Sequence, residues 1–263
     1  MKYTAKQEEE LMTDVWSLNI KDDPLNFVRY IFPWNQEGTP LADFSGPRRW
    51  QEKILRDVGN HIRKNETMDL PEMFRLAVAS GRGIGKSALV AWLILWFLST
   101  RLGGTIIVTA NTEAQLRTRT WAELGKWLTL SLNGHWFQKT ATSLKPQQWY
   151  EELLVRDLSI DCGYYYAQQQ LWSADSPDSF AGSHSFLGCM LIMDEASGID
   201  KNIFSVSEGF FTEPTKNRFW FAFSNPRRNS GPFYDAFHSN RGFWQTEQID
   251  SRDVEETDKQ LFQ

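Results

Sequence analysis

The stretch that most constrains this chain is SGRGIGKS, residues 80–87. It is set between a short apolar run, FRLAVAS (74–80), and the almost wholly apolar SALVAWLILWFLSTRL (87–102). Gly81, Gly83 and Gly85 let successive backbone N–H groups curl inward around an oxyanion. A helix that starts directly after such a loop adds its positive N-terminal end. The pattern G-x-x-x-x-G-K-[ST] between a strand and a helix describes a loop that cradles phosphates. Here it reads Ser80-Gly81-Arg82-Gly83-Ile84-Gly85-Lys86-Ser87, with serine in the first glycine position. That exchange holds only if Ser80 can adopt the required backbone angles. The alternative is a loop that merely turns a strand into a helix.

A phosphate site needs further parts, and the chain supplies two. In MLIMDE (190–195) an apolar strand ends in adjacent carboxylates, Asp194 and Glu195. Such a pair is costly unless a cation or solvent meets it. With ATP on the loop, Lys86 would reach the β- and γ-phosphates, and Ser87 and Asp194 would hold Mg²⁺. Glu195 would then activate the attacking water. A helix-capping role for either carboxylate is the plainer alternative. In FAFSNP (221–226) the next strand brings Ser224 and Asn225 to its carboxyl end, where open α/β sheets bind ligands. This pair could bond the γ-phosphate or the water and report hydrolysis, although SNP alone is a common turn signal.

These strands alternate with helices. A short helix ending at Pro33 precedes a loop and a second helix from about Arg48, with Ile54, Leu55 and Val58 on one face. TIIVTAN (105–111) reads as a strand buried on both faces. Thr112 opens a further helix through a Thr112–Gln115 capping box, with Trp121, Leu124 and Leu128 at helical spacing. Residues 131–188 are less regular. SIDCGYYYAQQQLW is rich in strand formers, SADSPDSFAGSH reads as a loop, and FWQTEQID (243–250) is the last strand candidate. The expected fold is α/β, a mainly parallel sheet flanked by helices with an N-terminal helical segment.

Composition narrows the class. Of 263 residues 41 % are hydrophobic, enough for a core, and the longest apolar run, Ala88–Leu98, is too short for a membrane span. The N-terminus lacks a signal-peptide core. Cys162 and Cys189 are too few for a disulfide framework or a zinc site, so a reducing, cytosolic setting fits. The net charge of −5 sits at the ends: residues 1–24 carry −3 and residues 247–263 carry −4, which leaves +2 between them. DNA contact is therefore neither demanded nor excluded. The twelve tryptophans are expected to be mainly packing residues.

FVRYIFPWNQEGTPL, GPRRWQEKIL, SGRGIGKS, IIVTAN, FAGSH, LIMDEASGI and FAFSNP together resemble the ATPase domain of the large terminase subunit of tailed bacteriophages, from about Phe27 to Asp250. The resemblance implies a P-loop NTPase fold of the ASCE (RecA-like) kind. By their polar composition residues 1–24 read as a mobile or helical arm, and the resemblance implies the ATPase domain over 25–250, with an adenine-side helical segment at 25–70, and an acidic linker over 251–263. In such a protein Gln51 and Trp50 would contact adenine, and Arg82 would stabilise charge on the γ-phosphate. A further pocket arginine could come from a neighbouring subunit, with Arg101, Arg117, Arg119 and Arg156 as candidates.

The implied activity is ATP hydrolysis with Mg²⁺, powering movement of double-stranded viral DNA into a prohead in the host cytoplasm. The implied partners are that DNA, the portal protein, the small terminase subunit and further copies in a ring, expected to be a pentamer. A monomer in isolation is the alternative, and no membrane is involved. The family's nuclease domain is absent from these residues, so no nuclease activity is expected, and the chain reads as a truncated form or a natural fragment. Two other readings stay open: another nucleic-acid translocase or helicase, and a nucleotide-binding switch without productive hydrolysis.

Overall fold

A computed structural model describes residues 3–180 and 185–255. Residues 181–184, which complete the FAGSH segment, and 256–263 of the acidic tail lie outside the described residues. The chain opens with α1 (Ala5–Val15), α2 (Leu18–Lys21), α3 (Pro24–Ile31) and α4 (Arg49–Glu66), followed by β1 (Phe74–Ser80) and α5 (Lys86–Thr100). After β2 (Thr105–Thr109) come α6 (Glu113–Gln115), a π-helical stretch Leu116–Thr120 and α7 (Trp121–Leu130), which run on as one helix with a bulge. Then follow β3 (Phe137–Lys139), β4 (Ser143–Pro146), α8 (Gln148–Leu158), β5 (Tyr166–Gln169) and β6 (Cys189–Asp194). The chain continues through α9 (Lys201–Ser207), β7 (Arg218–Ser224), α10 (Pro232–Asp235) and β8 (Gln245–Ile249).

All eight strands join one sheet in the order β3-β4-β5-β2-β6-β7-β1-β8. β5, β2, β6, β7, β1 and β8 run parallel, and β3 and β4 add an antiparallel edge. The strand carrying the glycine loop (β1) and the strand ending in the carboxylates (β6) are not neighbours. β7, which ends at Ser224, pairs with both and places all three motifs along one rim. This is the expected α/β class.

Side chains alternate across the sheet as a pleat requires. Phe74, Leu76 and Val78 face a core built with α1, α3, α4, α5, α7 and α8. Ala77 and Ala79 face a smaller core with Ile203, Phe204, Phe210, Phe211 and Phe233. α5 has buried residues all round because it lies between the sheet and an outer layer of helices.

That outer layer changes the picture of residues 1–24. Their charge suggested an arm, yet Leu11, Met12 and Val15 form one buried stripe. The Trp16 indole donates to Ser99 O at 3.1 Å, and the Trp96 indole donates to Lys21 O at 2.9 Å. Glu8 accepts from the Trp136 indole. Polar on average, the segment carries enough apolar residues on one side to close over α5. The Thr112 hydroxyl accepts from Gln115 N at 3.2 Å, which is one half of the expected capping box. Neither cysteine is in a disulfide. No helix among the described residues is long and apolar enough to cross a membrane.

Candidate active site

β1 delivers the chain to the loop at Ser80, which is buried and has no positive φ, so the first position of the motif needs no glycine here. Gly85 does need one: its φ is +91°, and a Cβ there would lie 2.8 Å from the Gln51 amide nitrogen. Gly81 is held by space alone, since a Cβ would meet Ser251 Oγ at 1.9 Å. Arg82, Gly83, Ile84, Gly85, Lys86 and Ser87 line a cleft of about 390 Å³ together with Arg119, Glu123, Asp194, Glu195 and Asn225.

Within it the Lys86 ammonium donates to Ser80 Oγ (3.0 Å), Gly81 O (2.8 Å) and Asn225 Oδ1 (2.9 Å). Burial pushes this ammonium down from its ordinary value, while Glu195 and Asp194 oppose the shift. Asp194 is pushed upward by burial, against a hydrogen bond from the Thr120 hydroxyl to its Oδ2 at 2.9 Å. Its other oxygen accepts from Glu195 N at 3.0 Å.

Glu195 has φ 55° and ψ 41°, a left-handed conformation that is uncommon for a residue with a side chain and typical of functional sites. Its carbonyl is clamped by the Asn111 amide (3.0 Å) and Gly198 N (3.0 Å), and its carboxylate lies 3.7 Å from Arg119. The turn after it is stitched to β7: Ser197 N donates to Ser224 Oγ at 3.1 Å, and the Ser197 hydroxyl donates to Asn225 O at 3.2 Å.

The expected pair at the end of β7 therefore divides. Asn225 faces Lys86 across the cleft, whereas Ser224 is buried and ties β7 to the turn behind Glu195. Gln51 and Trp50, expected beside adenine, both hydrogen-bond the main chain of the glycine loop. The Gln51 amide donates to Gly85 O at 2.8 Å and accepts from Arg48 N at 2.9 Å. The Trp50 indole donates to Ile84 O at 3.1 Å. Main-chain carbonyls of the loop compete for these groups, and they brace it from behind.

Of the arginines considered, Arg119 lines the cleft. Arg101 is buried at the far end of α5 against Asp22 (2.8 Å), Arg156 pairs with Asp157 on α8, and Arg117 is exposed on the bulged helix. Sequence reasoning missed Thr120, Asn111, Ser197 and Ser251. For Asn111 a signal existed, since it follows β2 at the carboxyl edge of the sheet.

The oxygen donors Ser87 and Asp194 on one cleft fit Mg²⁺, which takes few protein ligands and completes its shell with water and phosphate oxygens. No cluster of three or more His, Cys, Asp or Glu suited to a metal occurs among the described residues, so a softer all-protein metal site has no support there.

Sheet order, glycine loop and paired carboxylates together define an α/β domain with a phosphate-binding type of loop at the carboxyl edge of a mainly parallel sheet. No protein-family model matches the chain. Over 169 residues, 62 % of this chain, it is 25 % identical to a protein of Enterobacteria phage P7 described as "Probable terminase, large subunit". The match spans 31 % of that protein, about a third of its length. Among solved structures, the ATPase domain of the Thermus phage P74-26 large terminase, in a point-mutant form, superposes with a TM-score of 0.50 at 17 % identity. That superposition covers 79 % of this chain and 82 % of the other. A large terminase from another thermophilic bacteriophage gives a TM-score of 0.50 at 13 % identity, covering 73 % of this chain and 44 % of the other. The chain thus resembles a terminase large subunit in sequence and large terminase ATPase domains in fold.

Proposed function

We propose that this chain is the ATP-hydrolysing motor domain of a terminase large subunit, moving double-stranded viral DNA into a prohead. The observation that carries the reading is the cleft in which Arg82–Ser87, Asp194, Glu195 and Asn225 converge at the carboxyl ends of three adjacent parallel strands. Lys86 and Arg82 bind the β- and γ-phosphates, and the loop N–H groups of Gly81–Ser87 wrap the chain of phosphates. Ser87 and Asp194 hold Mg²⁺, which neutralises charge on the phosphate oxygens when bound. Glu195 orients water for in-line attack and accepts its proton. Arg119, 3.7 Å from Glu195, aligns that carboxylate. When phosphate oxygens take Lys86, Asn225 loses its partner, and β7 feels the change. The ring, the portal protein and the small subunit belong to the same proposal, as does action in the host cytoplasm.

Phosphate release from Mg-ATP by the wild-type chain and by Glu195→Gln, with and without duplex DNA, tests this. Turnover in the wild type, raised by DNA and lost in Glu195→Gln, is the expected result. Strand separation by the chain would favour a helicase. ATP binding without turnover in either protein, alone and in an assembled ring, would favour a switch.

A further inference from the structure

Many basic side chains of this acidic protein are neutralised locally. Arg29, Lys53, Lys64, Arg75, Arg101 and Lys216 each meet a carboxylate. Arg227 and Arg228 are adjacent members of a smaller set of exposed cations with no carboxylate partner among the described residues, which also includes Arg82, Arg117, Lys145, Lys201 and Arg241. They follow Asn225 and Pro226 at the carboxyl end of β7 and border two adjoining depressions. One, of about 340 Å³, is lined by Asn111, Gln115, Trp172 and the back of Glu195. The other, of about 500 Å³, includes Asn229, Tyr234 and His238. In the first, the Trp172 indole N–H and the amide oxygens of Asn111 and Gln115 are buried with no hydrogen-bond partner among the described residues.

Two guanidinium forks beside the Trp172 indole N–H supply donors that fit a phosphodiester, whereas the Asn111 and Gln115 amide oxygens are acceptors and take no part in holding an anion. Neither arginine lines the glycine-loop cleft, which shares Glu195 with the first depression, although the charge of Arg227 is felt at Lys86. A motor that must pass every sequence needs contacts to the backbone and not to the bases, because phosphate contacts carry no sequence information.

We infer that Arg227 and Arg228 grip backbone phosphates of the duplex that this motor moves. The inference rests on the proposed motor function and adds the place where DNA meets it. The loop has a direct line to the hydrolytic site. Asn225, two residues before Arg227, holds Lys86 by its side chain and the Ser197 turn by its carbonyl. Tension on the arginines therefore reaches both Lys86 and Glu195.

The test compares the wild-type chain with Arg227→Ala/Arg228→Ala, by anisotropy of a short labelled duplex across a salt series and by ATP turnover with and without that duplex. The double variant should melt with the wild type and keep its DNA-free turnover within about twofold. Its duplex affinity at low salt should fall about tenfold, and its salt dependence should flatten by about two charges, near 0.9 per lost phosphate contact. DNA stimulation should disappear. Unchanged duplex affinity and salt slope would overturn the inference while leaving the motor reading intact. Loss of DNA-free turnover in the folded variant would also overturn it, by assigning the arginines to the nucleotide. A wild-type chain that hydrolyses ATP but neither binds nor responds to DNA would overturn both.

Discussion

The two faces of the sheet are built differently. On one face the P-loop helix α5 is enclosed by α1–α4 and α7, and the aromatic residues there are tied down. The indoles of Trp16, Trp34, Trp96 and Trp121 each donate to a main-chain carbonyl, whereas that of Trp92 has no partner among the described residues. On the other face the cover is thin: short α9 and α10, 3₁₀ turns and loops over Ala77, Ala79 and Ala222. There the Trp172 and Trp220 indoles lack partners among the described residues, as does the amide oxygen of Asn111. The glycine loop leads through α5 into the first face, and the turns that follow β6 and β7 border the second. Glu195 sits at the rim between them, its carboxylate toward one and its clamped carbonyl toward the other.

The sharpest way to break this contrast is to hollow out the enclosed face. Trp96 is fully buried, so Trp96→Ala should cost about 3–5 kcal/mol in a urea melt. On the thin face Trp220→Phe removes an unpartnered N–H along with some ring area and should cost less than about 1.5 kcal/mol. Equal losses, from the smaller deletion at Trp220, would mean that the second face is the more tightly packed.

The Arg101–Asp22 pair closes the far end of α5, with the Arg101 side chain 5 % and Asp22 21 % exposed. Arg101→Met leaves Asp22 without its partner and should cost about 3 kcal/mol, less than a fully enclosed pair would because water still reaches the carboxylate. Recovery on adding Asp22→Leu would show that the stranded charge was the cost.

At the rim, Thr120→Val removes the hydroxyl that fixes Asp194. Turnover should fall about tenfold, the scale of one charge-assisted hydrogen bond, with the melting temperature little changed. Raised magnesium should restore part of it, and unaltered turnover would remove Thr120 from the site.

The smallest effect is a pH dependence at His61. Burial holds its folded-state value below the ordinary 6.5, and its Nε2 lies 3.1 Å from the Asn65 amide nitrogen, where a neutral ring accepts. Its contribution to stability is therefore full above pH 6.5 and is lost as pH falls from there toward the lowered value, where the unfolded chain gains a proton that the folded one refuses. Melting temperature should decline across that window less steeply in His61→Gln than in the wild type.

The same contrast explains what could be read from sequence. FRLAVAS, TIIVTAN, CMLIMDEAS and NRFWFAFSNP are strands buried on both sides, so they appear as uninterrupted apolar runs, and the structure keeps them within a few residues. The glycine loop and adjacent carboxylates were legible because their chemistry is local. The antiparallel edge β3–β4 was not, being three and four residues long with no periodicity to detect. The π-bulge that presents Thr120, and the Gln51 amide that props Gly85 from 34 positions away, depend on contacts that no local pattern encodes. The N-terminal helices were obscured by their charge, because a three-residue apolar stripe is hidden in an acidic average.

The most direct test of the central claim is to measure nucleotide binding and turnover together, using a fluorescent ATP analogue and phosphate release, in the wild type, Lys86→Ala and Glu195→Gln. The account predicts that Lys86→Ala loses both, whereas Glu195→Gln binds as the wild type does and turns over at least about a hundredfold more slowly. Sustained turnover in Glu195→Gln, or undiminished binding in Lys86→Ala, would contradict it.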